Sequence, residues 1–168
     1  EVEILREGKQ YRIEFTDGGE RIGQLIEVGP CGRKSGTRVR VWPDGKYFDS
    51  PKAPMAELER LLRSKAVLLP GVAVRLDIEQ ADGNIITKTW SYPEGLAGYL
   101  REVAGDIEPV APIYTFERYA DANDPSFANG EGAAWAIAWF EQAVPSESYV
   151  NLIPTVAGGT HESGLRAG

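Results

Sequence analysis

"MAELERLLRSKAVLLPGVAVRLDIEQADGNIITKTWSY", residues 55–92, changes its hydrophobic period halfway along, and that change sets the fold class. In the first half Leu58, Leu61 and Leu62 recur at helical spacing. Glu57 and Glu59 come before Arg63 and Lys65, the order that a helix dipole favours. Glu59 also stands four residues before Arg63, the spacing of a helical ion pair. "LLPGV" then turns the chain. "VAVRLDI" and "IITKTWSY" read as strands joined across "ADGN", whose Asp-Gly suits a tight hairpin. A helix leading into an antiparallel hairpin places the chain in an α+β, layered α/β class.

Toward the N-terminus the pattern is strand throughout. Val2 and Ile4 alternate with charged neighbours, "REGK" turns, and Tyr11, Ile13 and Phe15 alternate again, as in a half-buried hairpin. "TDGGE" is a second turn and "QLIEV" a further short strand. After the loop "GPCGRKSG" comes "TRVRVWP", with Thr37, Val39 and Val41 on one face and Arg38, Arg40 and Trp42 on the other. Pro43 ends it, having no N–H to give a ladder. Toward the C-terminus the pattern changes near Pro93. "EGLAGYLREVAG" is a short helix, followed by strands "IYTFERYA", "GAAWAIAWF" and "SYVNLIP". The acidic segment "DANDPSFANGEG" is a solvated loop, and Trp135, Ile137 and Trp139 alternate with alanines as in a strand packed on a helical layer.

Composition excludes several functions. The 168 residues are 42% hydrophobic and 26% charged, values of an ordered globular chain. Eighteen basic against twenty-five acidic residues give a net charge of -7, the wrong sign for a dedicated nucleic-acid domain. Arg33, Lys34, Arg38 and Arg40 form the best local basic cluster, read either as a solvated face or as a polyanion contact. Cys31 is alone, so no intramolecular disulfide forms, and a reducing cytoplasm fits. No apolar run approaches the roughly 18–20 residues that span a bilayer. Both ends read as cut: the chain opens inside a strand pattern and stops where a helix starts.

Enzyme signatures are missing. There is no Walker A loop and no strand–helix G-x-G-x-x-G. One Cys and one His do not make a usual zinc site, and no G-x-S-x-G supplies a nucleophile for His161. "NLIPTVAGGTHESGLRAG", residues 151–168, reads as a loop-to-helix corner in which Gly158 and Gly159 allow the turn and Thr160 caps the helix. "SGT" at 35–37 has two readings. It is an ordinary strand start, or a place where glycine lets a ligand approach, Thr37 bonds it and Val39 walls it.

Three stretches together resemble a known family: "GRKSGTRVRVWPDGKYFDSP" (32–51), "MAELERLLRSKAVLLPGV" (55–72) and "SYVNLIPTVAGGTHESGLR" (148–166). They are similar to the ATPase region of bacterial type II topoisomerase B subunits. "WPDGKYFDSP" and "ESYVNLIPT" look more like the topoisomerase IV branch than the gyrase branch. The resemblance implies that residues 1–94 are the C-terminal part of a GHKL (Bergerat) ATP-binding sandwich. Residues 95–168 would then begin a transducer domain with a GHMP-kinase-like βαβ fold.

It implies, too, which residues matter. Thr37 matches the family's adenine-pocket threonine and Val39 an apolar wall of that pocket, where aminocoumarin-type inhibitors also bind. The family's water-activating Glu, magnesium-holding Asn, adenine-reading Asp motif and glycine lid have no counterpart here. Its phosphate-touching transducer lysine would lie beyond Gly168. The resemblance therefore assigns this chain no catalytic and no metal-binding residue. His161 would belong to the transducer, away from ATP chemistry. The parent is expected to use ATP and Mg2+, dimerise on ATP binding, pass DNA, and pair with the topoisomerase IV A subunit, without a membrane and at the cytoplasmic nucleoid. The alternatives are a gyrase B fragment or a stand-alone protein- or nucleic-acid-interaction module.

Overall fold

The alternating N-terminal residues do form a sheet. The computed structural model describes residues 1–50 and 52–167, so Pro51 and Gly168, which end two of the motif stretches, lie outside it. The chain divides into two compact units, Glu1–Ala53 and Pro54–Gly168.

In the first unit β1 (Val2–Arg6) and β2 (Lys9–Ile13) are the expected hairpin, turning at Glu7 and Gly8, both of positive φ. The two-residue strands β3 (Phe15–Thr16) and β4 (Arg21–Ile22) pair across a 3-10 turn at Asp17–Gly19. β5 (Ile26–Pro30) and β6 (Gly36–Val39) complete a four-stranded antiparallel sheet in the order β5-β2-β1-β6. The strand expected to reach Pro43 stops at Val39. The Arg40 N–H still donates to the Glu1 carbonyl at 2.9 Å.

In the second unit α1 (Met55–Leu68) runs about one turn beyond "MAELERLLRSK", residues 55–65, the stretch with the helical pattern. The leucine stripe is only half-buried; the deepest residues are Ser64, Ala66 and Val67 in the last turns. Small side chains there let other elements approach closely, and Ser64 satisfies its buried hydroxyl on the Leu61 carbonyl at 2.7 Å. The expected Glu59–Arg63 pair is replaced. Glu59 accepts from Lys88 at 2.6 Å and Arg63 faces Glu147 at 3.7 Å, so both charges tie the helix to other segments.

β7 (Ala73–Glu79) and β8 (Ile85–Ser91) pair in full register across Asp82-Gly83, where Gly83 has φ 83°. α2 (Gly95–Ala104) follows. Ala66, Val67, Tyr92 and Tyr99 form the core, ringed by Leu68, Val74, Trp90, Leu96 and Val103. The two tyrosine rings meet edge to face, 5.3 Å between centroids.

β9 (Tyr114–Tyr119) and β10 (Gly132–Ile137) pair with Phe116 opposite Trp135, and those two rings stack at 5.7 Å. "SYVNLIP" is two strands instead of the expected one. β11 (Tyr149–Val150) and β12 (Ile153–Pro154) pair about a turn at Asn151 and Leu152, both at positive φ. α3 (Thr160–Ala167) closes the described chain. The Gly159 carbonyl accepts from the Glu162 and Ser163 N–H groups, so Gly159 stands at the cap position and Thr160 is already inside the helix.

Two glycines make a paired prediction. A Cβ on Gly132 would lie 2.2 Å from the Arg118 carbonyl oxygen and 2.8 Å from the Tyr119 Cα, backbone atoms that cannot swing aside. Gly132→Ala is expected to cost about 1–3 kcal/mol by overpacking the β9–β10 pair. Gly164, in α3, has nothing within 4 Å of the added atom. Gly164→Ala should stabilise by about 0.5–1 kcal/mol through helix propensity. Thermal unfolding of the two variants should give shifts of opposite sign.

Candidate functional site

β6 carries both residues expected at a ligand. Thr37 lies opposite Ile4 and Val39 opposite Val2 in the β1–β6 ladder, and the next strand adds Tyr11 and Ile13 to the same row. Strand alternation gives these six side chains one face of the sheet. Val39 is 63% exposed. A hydroxyl thus stands beside an open isopropyl, next to Val2 and Ile4. Arg38 and Arg40 leave by the opposite face, so the strand offers no cation to a phosphate beside Thr37.

That opposite face is ionic. Arg38 meets Glu3 at 3.4 Å, and Glu1 faces Arg12 at 3.2 Å and Arg40 at 3.5 Å. The Arg40 guanidinium also lies 5.8 Å from the Trp42 ring centre. Exposed pairs of this kind contribute at most about 1 kcal/mol each. They do, however, neutralise two of the four cations of the basic cluster. Arg33 and Lys34 sit in the exposed loop before β6. A cleft of ≈ 530 Å³ is lined on this side by Glu3, Leu5, Gln10, Cys31 and Lys34. Thr37 also lines it but Val39 does not, so the structure brings the two residues together on the sheet face and not in that cleft.

Among the described residues, no three His, Cys, Asp or Glu side chains gather as a metal site. His161 is exposed, with Nε2 3.4 Å from the Thr155 hydroxyl. No helix is long and apolar enough to cross a membrane, among the described residues.

A polar cluster with no signature in the sequence lies in the second unit. Glu147 accepts hydrogen bonds from Tyr99 at 2.9 Å and from Tyr149, and faces the Arg63 guanidinium. Burial, reinforced by the bonds to Glu147, holds both phenols above their ordinary value, Tyr99 at about 12. They therefore remain donors throughout the neutral range. Burial and a bond to Glu102 raise Tyr92 likewise. The partners stand 36 and 48 residues from one another along the chain (99 − 63; 147 − 99), so no local spacing announces them.

Comparison with known proteins agrees with this architecture. Residues 95–168 match the family model described as DNA gyrase B. The B subunit of DNA topoisomerase 4 from Escherichia coli K12 is 40% identical over 172 residues, which take in 100% of this chain and 25% of that protein. Its Pseudomonas aeruginosa counterpart is 37% identical with the same coverage. The topoisomerase IV ATP-binding domain of Francisella tularensis, solved with a small-molecule inhibitor, superposes with TM-score 0.61 at 27% identity, covering 98% of this chain and 42% of that one. The 43K ATPase domain of Thermus thermophilus gyrase B, solved with an aminocoumarin, gives 0.73 at 24% identity over 99% and 43%, a likeness of fold. This chain, spanning about a quarter of the length of the curated relatives it matches, is thus similar from end to end to one region of the B subunits of bacterial DNA topoisomerase 4, and its residues 95–168 match the DNA gyrase B family model.

Proposed function

We propose that the chain is part of the ATP-operated clamp of a topoisomerase IV B subunit. Residues 1–94 contribute the C-terminal part of the GHKL ATP-binding domain, and residues 95–168 the start of the transducer. The family model's beginning at residue 95 supports that boundary. Thr37 bonds the adenine edge and Val39 forms the apolar wall beside it. Nucleotide phosphates and Mg2+ are held by other parts of the protein, which would hydrolyse ATP, dimerise, and pass DNA together with the A subunit in the cytoplasm. Closure would move the transducer as a rigid body.

The observation that carries this reading is the exposed Thr37–Val39 pair on one face of β6, in a chain aligned end to end with the B subunit of DNA topoisomerase 4. Calorimetric titration of nucleotide and of an aminocoumarin into the whole protein carrying Thr37→Ala tests it. Losing one hydrogen bond of about 0.5–1.5 kcal/mol should weaken binding roughly 3- to 10-fold. Unchanged affinity would sink the assignment. The family model's own description favours gyrase as the second reading. Supercoiling against decatenation by the whole enzyme separates the two.

A further inference from the structure

The segment after β10 is held in place by polar contacts more than by a core. Val150, Leu152 and Ile153, its aliphatic residues, are 46%, 36% and 61% exposed. What fixes it is a run of bonds from two helices to a third. At one end Glu147 takes the Tyr99 hydroxyl of α2 and faces Arg63 of α1, whose guanidinium lies 5.5 Å from the Tyr99 ring centre. In the middle Lys65 of α1 donates to the Leu152 carbonyl, at the positive-φ turn between β11 and β12. Back at the open end of the hairpin, next to Glu147, the Ser148 and Thr155 hydroxyls bond at 2.6 Å, and the Thr155 N–H donates to the Ser148 carbonyl at 2.8 Å. Thr155 then reaches His161 in the first turn of α3, and its carbonyl accepts from the Gly158 N–H at 2.9 Å.

We propose that residues 147–155 are a strap that makes α3 follow α1 and α2, with Glu147 as its fastening and the Ser148–Thr155–His161 contacts as the link from that fastening to α3. A segment with little apolar burial opens locally at low cost unless such bonds hold it. The bonds on Glu147 and that from Lys65 to Leu152 are both charge-assisted, and Glu147 dominates because it gathers three partners, Tyr99, Tyr149 and Arg63. Release of that one carboxylate should free the turn and the corner at Gly158–Gly159 without disturbing the core around Val67. What the strap would transmit rests on the clamp reading; its existence does not.

Amide hydrogen exchange of the whole protein carrying this chain, without nucleotide, tests the strap. Glu147→Gln keeps size and removes the charge. Exchange over residues 149–163 should rise roughly tenfold, with residues 64–68 of α1 unchanged. Thr155→Val should speed exchange in α3 while leaving residues 95–104 of α2 as they were. The double variant should exchange in α3 no faster than the faster single, because the two contacts lie in series. Tyr149→Phe, a milder change at the same end, should move the same segment in the same direction. Unchanged α3 exchange in Glu147→Gln would overturn the strap, as would additive effects or a uniform rise across the whole Pro54–Gly168 unit. Because no nucleotide is used, failure of the clamp reading would leave this result standing.

Discussion

Replacing Val67 by Asp is expected to unfold the Pro54–Gly168 unit. Val67 is 1% exposed and packs in a core of only four buried residues, with Ala66, Tyr92 and Tyr99. An unpaired carboxylate buried there has no cation to meet. The nearby charged groups are already engaged: Arg63 with Glu147, Lys65 with the Leu152 carbonyl, Lys88 with Glu59. Leaving a buried charge uncompensated costs at least about 3–5 kcal/mol. That is most of the stability of a unit near the low end of the usual about 5–15 kcal/mol, where so small a core places it. Val67→Ala removes two methyl groups and should cost about 2 kcal/mol, the transfer loss plus a small cavity. Circular dichroism melting should therefore rank wild type above Val67→Ala, with Val67→Asp showing no cooperative transition. A folded Val67→Asp would mean that the α1–α2 contact is not the core of this unit.

Much of this architecture was legible because it is local. The 73–91 hairpin follows from alternation on both sides of Asp82-Gly83, and α1 from leucines at 58, 61 and 62. Where structure departs from local pattern, contacts from distant segments decide the outcome. The Glu59–Arg63 spacing favours a pair, yet Lys88 and Glu147 each offer one of them a partner across the fold. "SYVNLIP" has strand composition, but Asn151 tolerates positive φ and lets the chain double back within it. Ser64 would be assigned to a solvated face by polarity alone. It is buried because its hydroxyl bonds within its own helix and its small volume admits close packing. The candidate site divides in the same way. That Thr37 and Val39 share a face follows from period two, whereas the cluster on Glu147 draws on three segments and had no pattern to read.

Substitutions at Val39 should separate loss of site from loss of fold. In the sheet, Val39 is 63% exposed on the terminal residue of an edge strand, so Val39→Asp should cost less than about 1 kcal/mol of stability. Its effect on a bound purine is a different matter. Val39→Ala withdraws two methyl groups from the proposed adenine wall, about 1.5 kcal/mol, and should weaken nucleotide binding roughly tenfold. Val39→Asp sets a charge against the base, where a bound ligand would strip its water, and should weaken binding at least about a hundredfold. Arg38→Ala is the control from the other face of the same strand. It breaks only the 3.4 Å contact with Glu3 and should leave affinity within about twofold. Titration and melting of the three variants in the whole protein then give a pattern that general damage to β6 cannot imitate. Val39→Asp must lose ligand while melting normally, and Arg38→Ala must keep it. Normal nucleotide binding by Val39→Asp, or a larger loss in Arg38→Ala, would move the ligand off the Thr37–Val39 face, toward the cleft lined by Glu3, Gln10 and Lys34 on the other side of the sheet.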